Sequence, residues 1–219
     1  VLISGRGSNM AALLEAAAAA EYPAEIVLVL SNRAEAAGLE HARVHGVPTA
    51  VVERSGRDRA SFEAAMEEEL ARHGVEIIAL AGFMRVLSER FCAAWQDRLV
   101  NIHPSLLPAF RGLDTHARAL AAGVRLHGCT VHLVRAGVDE GPILAQAAVP
   151  VHDGDTEAAL AARVLAEEHR IYPAALGWLA AGLVRVEGAV ARVAAPAASG
   201  ALASPLPGPL ALPKNSAQH

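Results

Sequence analysis

Asn101 and His103 fall two residues apart in LVNIHPSLLP (99–108), where an apolar run ends and two prolines follow. Side chains on a strand alternate between faces, so the two polar groups share one side and Ile102 faces the other. Burying such a pair is costly unless each is satisfied. They therefore either hydrogen-bond within the core or are aimed at a ligand. An amide N–H and an imidazole N–H can both donate to an oxygen that gains negative charge in a transition state, and one such donor is typically worth ~2.7–4 kcal/mol of barrier. Pro104 and Pro108 stiffen the loop behind them. His116, His127 and His132 come later in the chain, but no HxxxH or carboxylate triad spacing accompanies them, which disfavours a metal centre.

Three further places carry chemistry-bearing residues. Asp139 in GVDEGPIL is either a turn former or a base able to orient an imidazole and move a proton. In SGRGSNM (4–10) a Gly-rich turn leads into a helix, leaving backbone N–H groups for one phosphate, with Ser8 and Asn9 adding side-chain donors. It is no dinucleotide fingerprint, since GxGxxG needs glycine where Met10 stands, and no P-loop, since no GK[ST] follows. The bland reading is a tight turn with Ser or Asn as helix cap. Glu168 occupies a core-facing slot in the stripe Leu160, Ala161, Val164, Leu165, Ile171, Tyr172, either as a snorkelling margin residue or as a carboxylate aimed at a cationic or amine-bearing substrate.

The elements that must position these residues alternate between short β-branched runs and helical patterns. That alternation predicts an α/β fold, an open, mostly parallel twisted sheet with helices on both faces. Strands are expected at 1–4, 25–31, 48–52, 76–80 and 98–103, with helices at 10–22, 34–46, 57–73 and 88–96 between them. The runs 126–135 and 142–151 read as a hairpin-like unit. A long helix is expected over 155–172, capped by Asp155 or Thr156 and broken or kinked near Pro173. Ligands in such sheets bind at the carboxyl ends of strands, which puts GRGSN, AGFMRVL and NIHPSLLP along one rim. Residues 1–194 are read as one domain with a 1–100 half and a 101–194 half. The Ala/Pro/Ser/Gly-rich stretch 195–219 reads as a disordered tail.

Composition narrows the class. The 219 residues are 53% hydrophobic and 4% aromatic, enough for a sizeable core of closely packed helices and sheet. A net charge of −4 argues against a general nucleic-acid binder. No run of about 18 or more uncharged apolar residues is present, which argues against a membrane span. Cys92 and Cys129 have no framework or metal spacing and read as reduced thiols of a cytoplasmic protein. Val1 already lies in an apolar run, so part of the first strand is expected to precede it.

Taken together, SGRGSNM, LSNRAEAAGLEHA, LAGFMRVLS, NIHPSLLPAFRGLDTHARAL, HGCTVHLV, DEGPILAQAAVPV and EEHRIYP closely resemble phosphoribosylglycinamide formyltransferases of purine biosynthesis, from Val1 to about Gly188. The resemblance implies formyl transfer from 10-formyltetrahydrofolate, as co-substrate, to the amine of glycinamide ribonucleotide, with no metal. It implies Asn101, His103 and Asp139 as the catalytic trio and Gly7, Ser8, Asn9 and Glu168 on the ribonucleotide. It further implies Arg59, Met84, Arg85, Val86, Leu87, Asn101, Arg135, Ala136, Gly137, Val138 and Asp139 on the folate. The expected partners are these small molecules, with no nucleic acid and no membrane, in a monomer or weak homodimer. Arg6 departs from the family pattern in the cradle, where it adds a phosphate contact or merely meets solvent.

Rival readings are other formyl-folate enzymes sharing Asn-x-His-x-Ser-Leu-Leu-Pro. A methionyl-tRNA formyltransferase would need a further C-terminal domain and a basic surface. A formyltetrahydrofolate hydrolase would carry an N-terminal regulatory domain ahead of Val1. A non-catalytic nucleotide-binding module would be expected to have lost one of Asn101, His103 and Asp139.

Overall fold

The computed structural model describes residues 1–194; the stretch 195–219, read above as a tail, lies outside the described residues. Five short parallel strands come first in the chain: β1 (Leu2–Ile3), β2 (Val29–Ser31), β3 (Thr49–Val51), β4 (Ile78–Leu80) and β5 (Leu99–His103). Two longer strands, β6 (Leu126–Leu133) and β7 (Ile143–Pro150), extend the sheet antiparallel in the order β3-β2-β1-β4-β5-β6-β7. The predicted mixed sheet is therefore present, with its strand order reversing between β1 and β4. Such a reversal opens a crevice at the strands' carboxyl ends.

Helices cover both faces. On one face α1 (Ser8–Ala17), α2 (Gly38–Val44), α5 (Thr115–Ala121) and α6 (Glu157–Ala180) pack Met10, Leu13, Leu39, Ala119, Leu160 and Val164 against Ile3, Val29, Val100 and Ile102. On the other, α3 (Arg59–Arg72) and α4 (Glu89–Ala94) pack Phe62, Met66, Leu70 and Phe91 against Leu2, Leu30, Leu80 and Leu99. Residues two apart belong to the same core, so Asn101 and His103 continue the Leu99 face, as alternation predicts.

Several boundaries differ from expectation. Strands β2 and β4 are shorter than their apolar runs, because Ile26 and Ile77 pack against the core from outside the ladder. Helix α6 does not end near Pro173; it continues to Ala180, with Tyr172, Ala175 and Leu176 buried on either side of the proline. Its cap is Thr156, whose Oγ1 accepts from Ala159 N at 3.2 Å. The short α5 and the hairpin of β8 (Val184–Glu187) and β9 (Val190–Val193) were not anticipated. No described helix is long and apolar enough to cross a membrane.

Candidate active site

β5 delivers the two polar residues to the sheet's carboxyl rim. There Asn101 lies opposite His132 and His103 opposite Thr130 on antiparallel β6. Antiparallel β6 ends at Leu133 opposite Val100, with Val134 N donating to Leu99 O at 2.8 Å, and the loop that follows runs back along β5 until Asp139 reaches His103. Asp139 adopts a left-handed conformation with φ 51°. Its Oδ2 stands 3.3 Å from His103 Nδ1 and accepts from Gly112 N at 2.8 Å, while its Oδ1 is 3.9 Å from His132 Nε2. The turn's return is tight: Gly141 has φ 131°, and a Cβ there would lie 2.1 Å from the Leu133 carbonyl oxygen.

Asn101 and His103 are both bonded to other groups of the protein. Asn101 Nδ2 is 3.2 Å from His132 Nε2, an arrangement in which the amide donates and the imidazole accepts. Burial pushes the His132 imidazole below its ordinary range, which keeps it neutral and able to accept. His103 Nε2 donates to the Phe110 carbonyl at 3.0 Å. The imidazole N–H read from sequence as an oxyanion donor is thus engaged by the segment following Pro108. That segment, through Gly112 N, also holds Asp139.

A cleft of about 570 Å3 opens over these groups. Its lining includes Asn101, His103 and Asp139, together with Met84, Arg85, Val86, Leu87, Arg135, Ala136, Gly137 and Val138. Sequence reasoning named all eleven. Met84, Val86, Leu113 and Val138 are 65%, 60%, 74% and 53% exposed, an unusual concentration of bare apolar side chains around one opening. Arg135 is held beside Val134 O, at 3.0 Å, and by an ion pair to Asp97. Two of the expected residue groups lie elsewhere. Arg59 stands exposed on the first turn of α3, outside the lining residues. Gly7, Ser8, Asn9 and Glu168 lie on α1 and α6, on the opposite face of the sheet from α3 and α4.

The cap of α1 is Gly7, not Ser8 or Asn9. Gly7 has φ 74°, and an added Cβ would meet Gly38 Cα at 3.1 Å, so both turn and packing require glycine. No side chain caps this helix and no acidic residue sits in its first turn, which leaves the amino-terminal N–H groups to attract an anion. The expected Asn9 side-chain donor is otherwise engaged: Nδ2 donates to Glu168 Oε2 at 2.7 Å, while Oδ1 is buried without a partner among the described residues. Glu168 is 6% exposed, and burial raises its carboxyl pKa against the opposing effect of Asn9.

Residues missed from sequence are His132 as the Asn101 partner, Phe110 and Gly112 on the covering segment, and Ser4. Ser4 Oγ accepts from Met84 N at 2.8 Å and so fixes the start of the 84–87 loop. His132 was legible: once β5 and β6 are paired, its alternation with Thr130 places it on the Asn101 face. The Phe110 and Gly112 contacts are made through backbone atoms, which no side-chain pattern signals.

Residues 1–176 match the family model described as formyl transferase. The chain belongs to the formyl transferase family. A trifunctional purine biosynthetic protein adenosine-3 of Bos taurus is 47% identical over 187 residues, covering 85% of this chain but 18% of that protein. The chain thus spans less than a fifth of the length of that relative. A phosphoribosylglycinamide formyltransferase of Escherichia coli is 42% identical, with 85% of this chain and 88% of that one covered. Among solved structures, glycinamide ribonucleotide transformylase 1 from Symbiobacterium toebii superposes with a TM-score of 0.85 at 48% identity, covering 88% of this formyl transferase and 91% of that chain. Among the described residues no group of three or more His, Cys, Asp or Glu is placed to hold a metal ion.

Proposed function

We propose that this formyl transferase moves the formyl group of 10-formyltetrahydrofolate to the amine of glycinamide ribonucleotide, giving formylglycinamide ribonucleotide and tetrahydrofolate for purine biosynthesis. The observation that carries the reading is the convergence of Asn101, His103 and Asp139 at the base of a cleft walled by exposed apolar side chains. Met84, Val86, Leu113 and Val138 suit the flat ring faces of a folate, with the 135–139 loop supplying backbone donors and acceptors to its polar edges. The uncapped start of α1 suits the ribonucleotide phosphate, and Glu168 suits its glycinamide end. Residues 1–100 then serve mainly the ribonucleotide and 101–194 the folate and the chemistry. The same reading carries a cytoplasmic location, small-molecule partners only, and a monomer or weak homodimer.

Chemically, the substrate amine attacks the formyl carbon, and the carbonyl oxygen becomes an oxyanion in a tetrahedral intermediate. Asn101 Nδ2 and His103 Nε2 turn from His132 and the Phe110 carbonyl to that oxygen. Asp139 fixes the imidazole through Nδ1 and accepts the proton shed by the amine. The carbon–N10 bond then breaks, its electron pair staying on nitrogen, and N10 takes up the proton that Asp139 accepted from the amine. The covering segment must shift for His103 to do this. Its hold on Nε2 keeps the donor desolvated until substrates displace it.

The deciding experiment follows tetrahydrofolate release from 10-formyltetrahydrofolate with and without glycinamide ribonucleotide. Release that depends on the ribonucleotide and is lost in Asp139→Asn supports the reaction and the trio. Release without the ribonucleotide indicates a hydrolase. No release, with tight ribonucleotide binding, leaves a binding module.

A further inference from the structure

One buried carboxylate outside the trio has no part in the chemistry above. Glu63 lies on α3, is 1% exposed, and faces the sheet alongside Phe62 and Met66. It accepts from Ser88 N at 2.6 Å and from Ser88 Oγ, with Arg90 Nη2 3.9 Å away. Ser88 is also the cap of α4, its Oγ accepting from Phe91 N at 3.1 Å. A buried carboxyl group is tolerated where hydrogen bonds satisfy it, and both close ones here come from Ser88, so the pair fixes where Ser88 stands.

The geometry it fixes is that of the cleft wall. Residues 83–87 belong to no helix or strand, yet they present Met84 and Val86 at 65% and 60% exposure between buried Phe83 and Leu87. At its front the segment is tied by Met84 N donating to Ser4 Oγ at 2.8 Å. Arg85 is tied as well, with the Asn32 amide turned so that its oxygen accepts from Arg85 Nε at 3.2 Å. At its back the segment runs directly into Ser88 and the Glu63 clamp.

We infer that Glu63 is a positioning residue that holds the Met84–Leu87 wall in the arrangement that receives the folate. The inference rests on the proposed function for the identity of that ligand. It touches neither the reacting atoms nor the ribonucleotide site on the opposite face.

The test compares wild type, Glu63→Gln, Ser88→Ala and Ser88→Thr in steady-state kinetics, with tetrahydrofolate binding measured by calorimetry alongside. Glu63→Gln is expected to raise KM for the formyl-folate and Kd for tetrahydrofolate by about fivefold or more while kcat and the ribonucleotide KM stay within about twofold. Ser88→Ala should follow it, and Ser88→Thr, which keeps hydroxyl and N–H, should restore wild-type values. Unchanged folate parameters, or two KM values rising together with a fallen Tm, would overturn the role. Wild type that binds tetrahydrofolate without transferring formyl removes the proposed reaction but leaves the clamp readable by Kd. Wild type that binds none removes both.

Discussion

At the scale of single residues, the site shows which polar groups are free to act and which are held. If His103 is the proposed oxyanion donor, His103→Ala should lower turnover by ~10²–10³ and leave ribonucleotide binding by calorimetry largely unchanged. A loss of tenfold or less would remove its role as electrophile. Glu168→Gln is expected to weaken ribonucleotide binding and leave folate affinity alone. It should also change stability with a definite sign. Burial raises the folded-state pKa of Glu168 above its ordinary 4.5. Its contribution is therefore fully present below that pH and is lost as pH rises through the folded value. A glutamine keeps an oxygen for Asn9 without the buried charge, so Glu168→Gln should melt higher than wild type at pH 8. The difference should shrink toward pH 4.5. Scanning calorimetry at the two pH values reads this directly.

At the scale of elements, what was legible depended on whether side chains or backbone carried the signal. Of the predicted stripe, Leu160, Val164, Glu168, Ile171 and Tyr172 are buried while Ala161 and Leu165 are half-buried, and both Asn101 with His103 and the 84–87 wall sit on the rim that strand order assigns them. Pro173 misled because a proline removes one N–H and crowds one carbonyl, losses that packing of Tyr172, Ala175 and Leu176 outweighs. Tyr172 Oη also donates to Leu80 O at 2.9 Å, and Tyr22 Oη to Pro173 O at 2.8 Å. The β8–β9 hairpin did carry period-two alternation around Gly188 and could have been found. The covering segment could not, since Phe110 and Gly112 act through carbonyl and amide. Its visible ion pair, Arg111 Nη1 to Glu140 Oε1 at 2.6 Å, is 44% and 52% exposed, a setting in which pairs contribute at most about 1 kcal/mol. Arg111→Ala should therefore leave Tm within about 4 °C of wild type by differential scanning fluorimetry. A larger drop would mean that the ion pair, rather than the backbone bonds, secures the segment.

At the scale of the whole molecule, the sheet divides the helices into an α1/α6 face, which holds the Asn9–Glu168 pair, and an α3/α4 face, and the cleft at the rim takes lining from both, from the 84–87 wall to Thr115, His116 and Glu157. Beneath that division lies a shared weakness toward acid. His116, His127, His132 and His169 all have imidazoles pushed below their ordinary range, in each case chiefly by burial. His127 is the extreme: 1% exposed, with both ring nitrogens lacking partners among the described residues, and lowered to about 4. It sits edge-on to His116 at 5.3 Å and to Phe110 at 5.7 Å between ring centroids, so charging it would place a cation inside the layer that supports the covering segment. The unfolded chain takes up this proton as pH falls through 6.5, and the folded chain resists until about 4, so stability is lost across that window. Thermal melts should accordingly show Tm falling steeply below pH 6.5. His127→Phe keeps an edge-on aromatic ring, somewhat larger than the imidazole, and removes a buried polar group whose one nearby backbone partner is at Pro104. It should match or exceed wild-type Tm at pH 7 and hold more of it at pH 5. If His127→Phe instead loses several degrees at both pH values, the ring nitrogens bond something that stabilises the fold, and the acid sensitivity must be assigned to His132, beside Asn101 and Asp139.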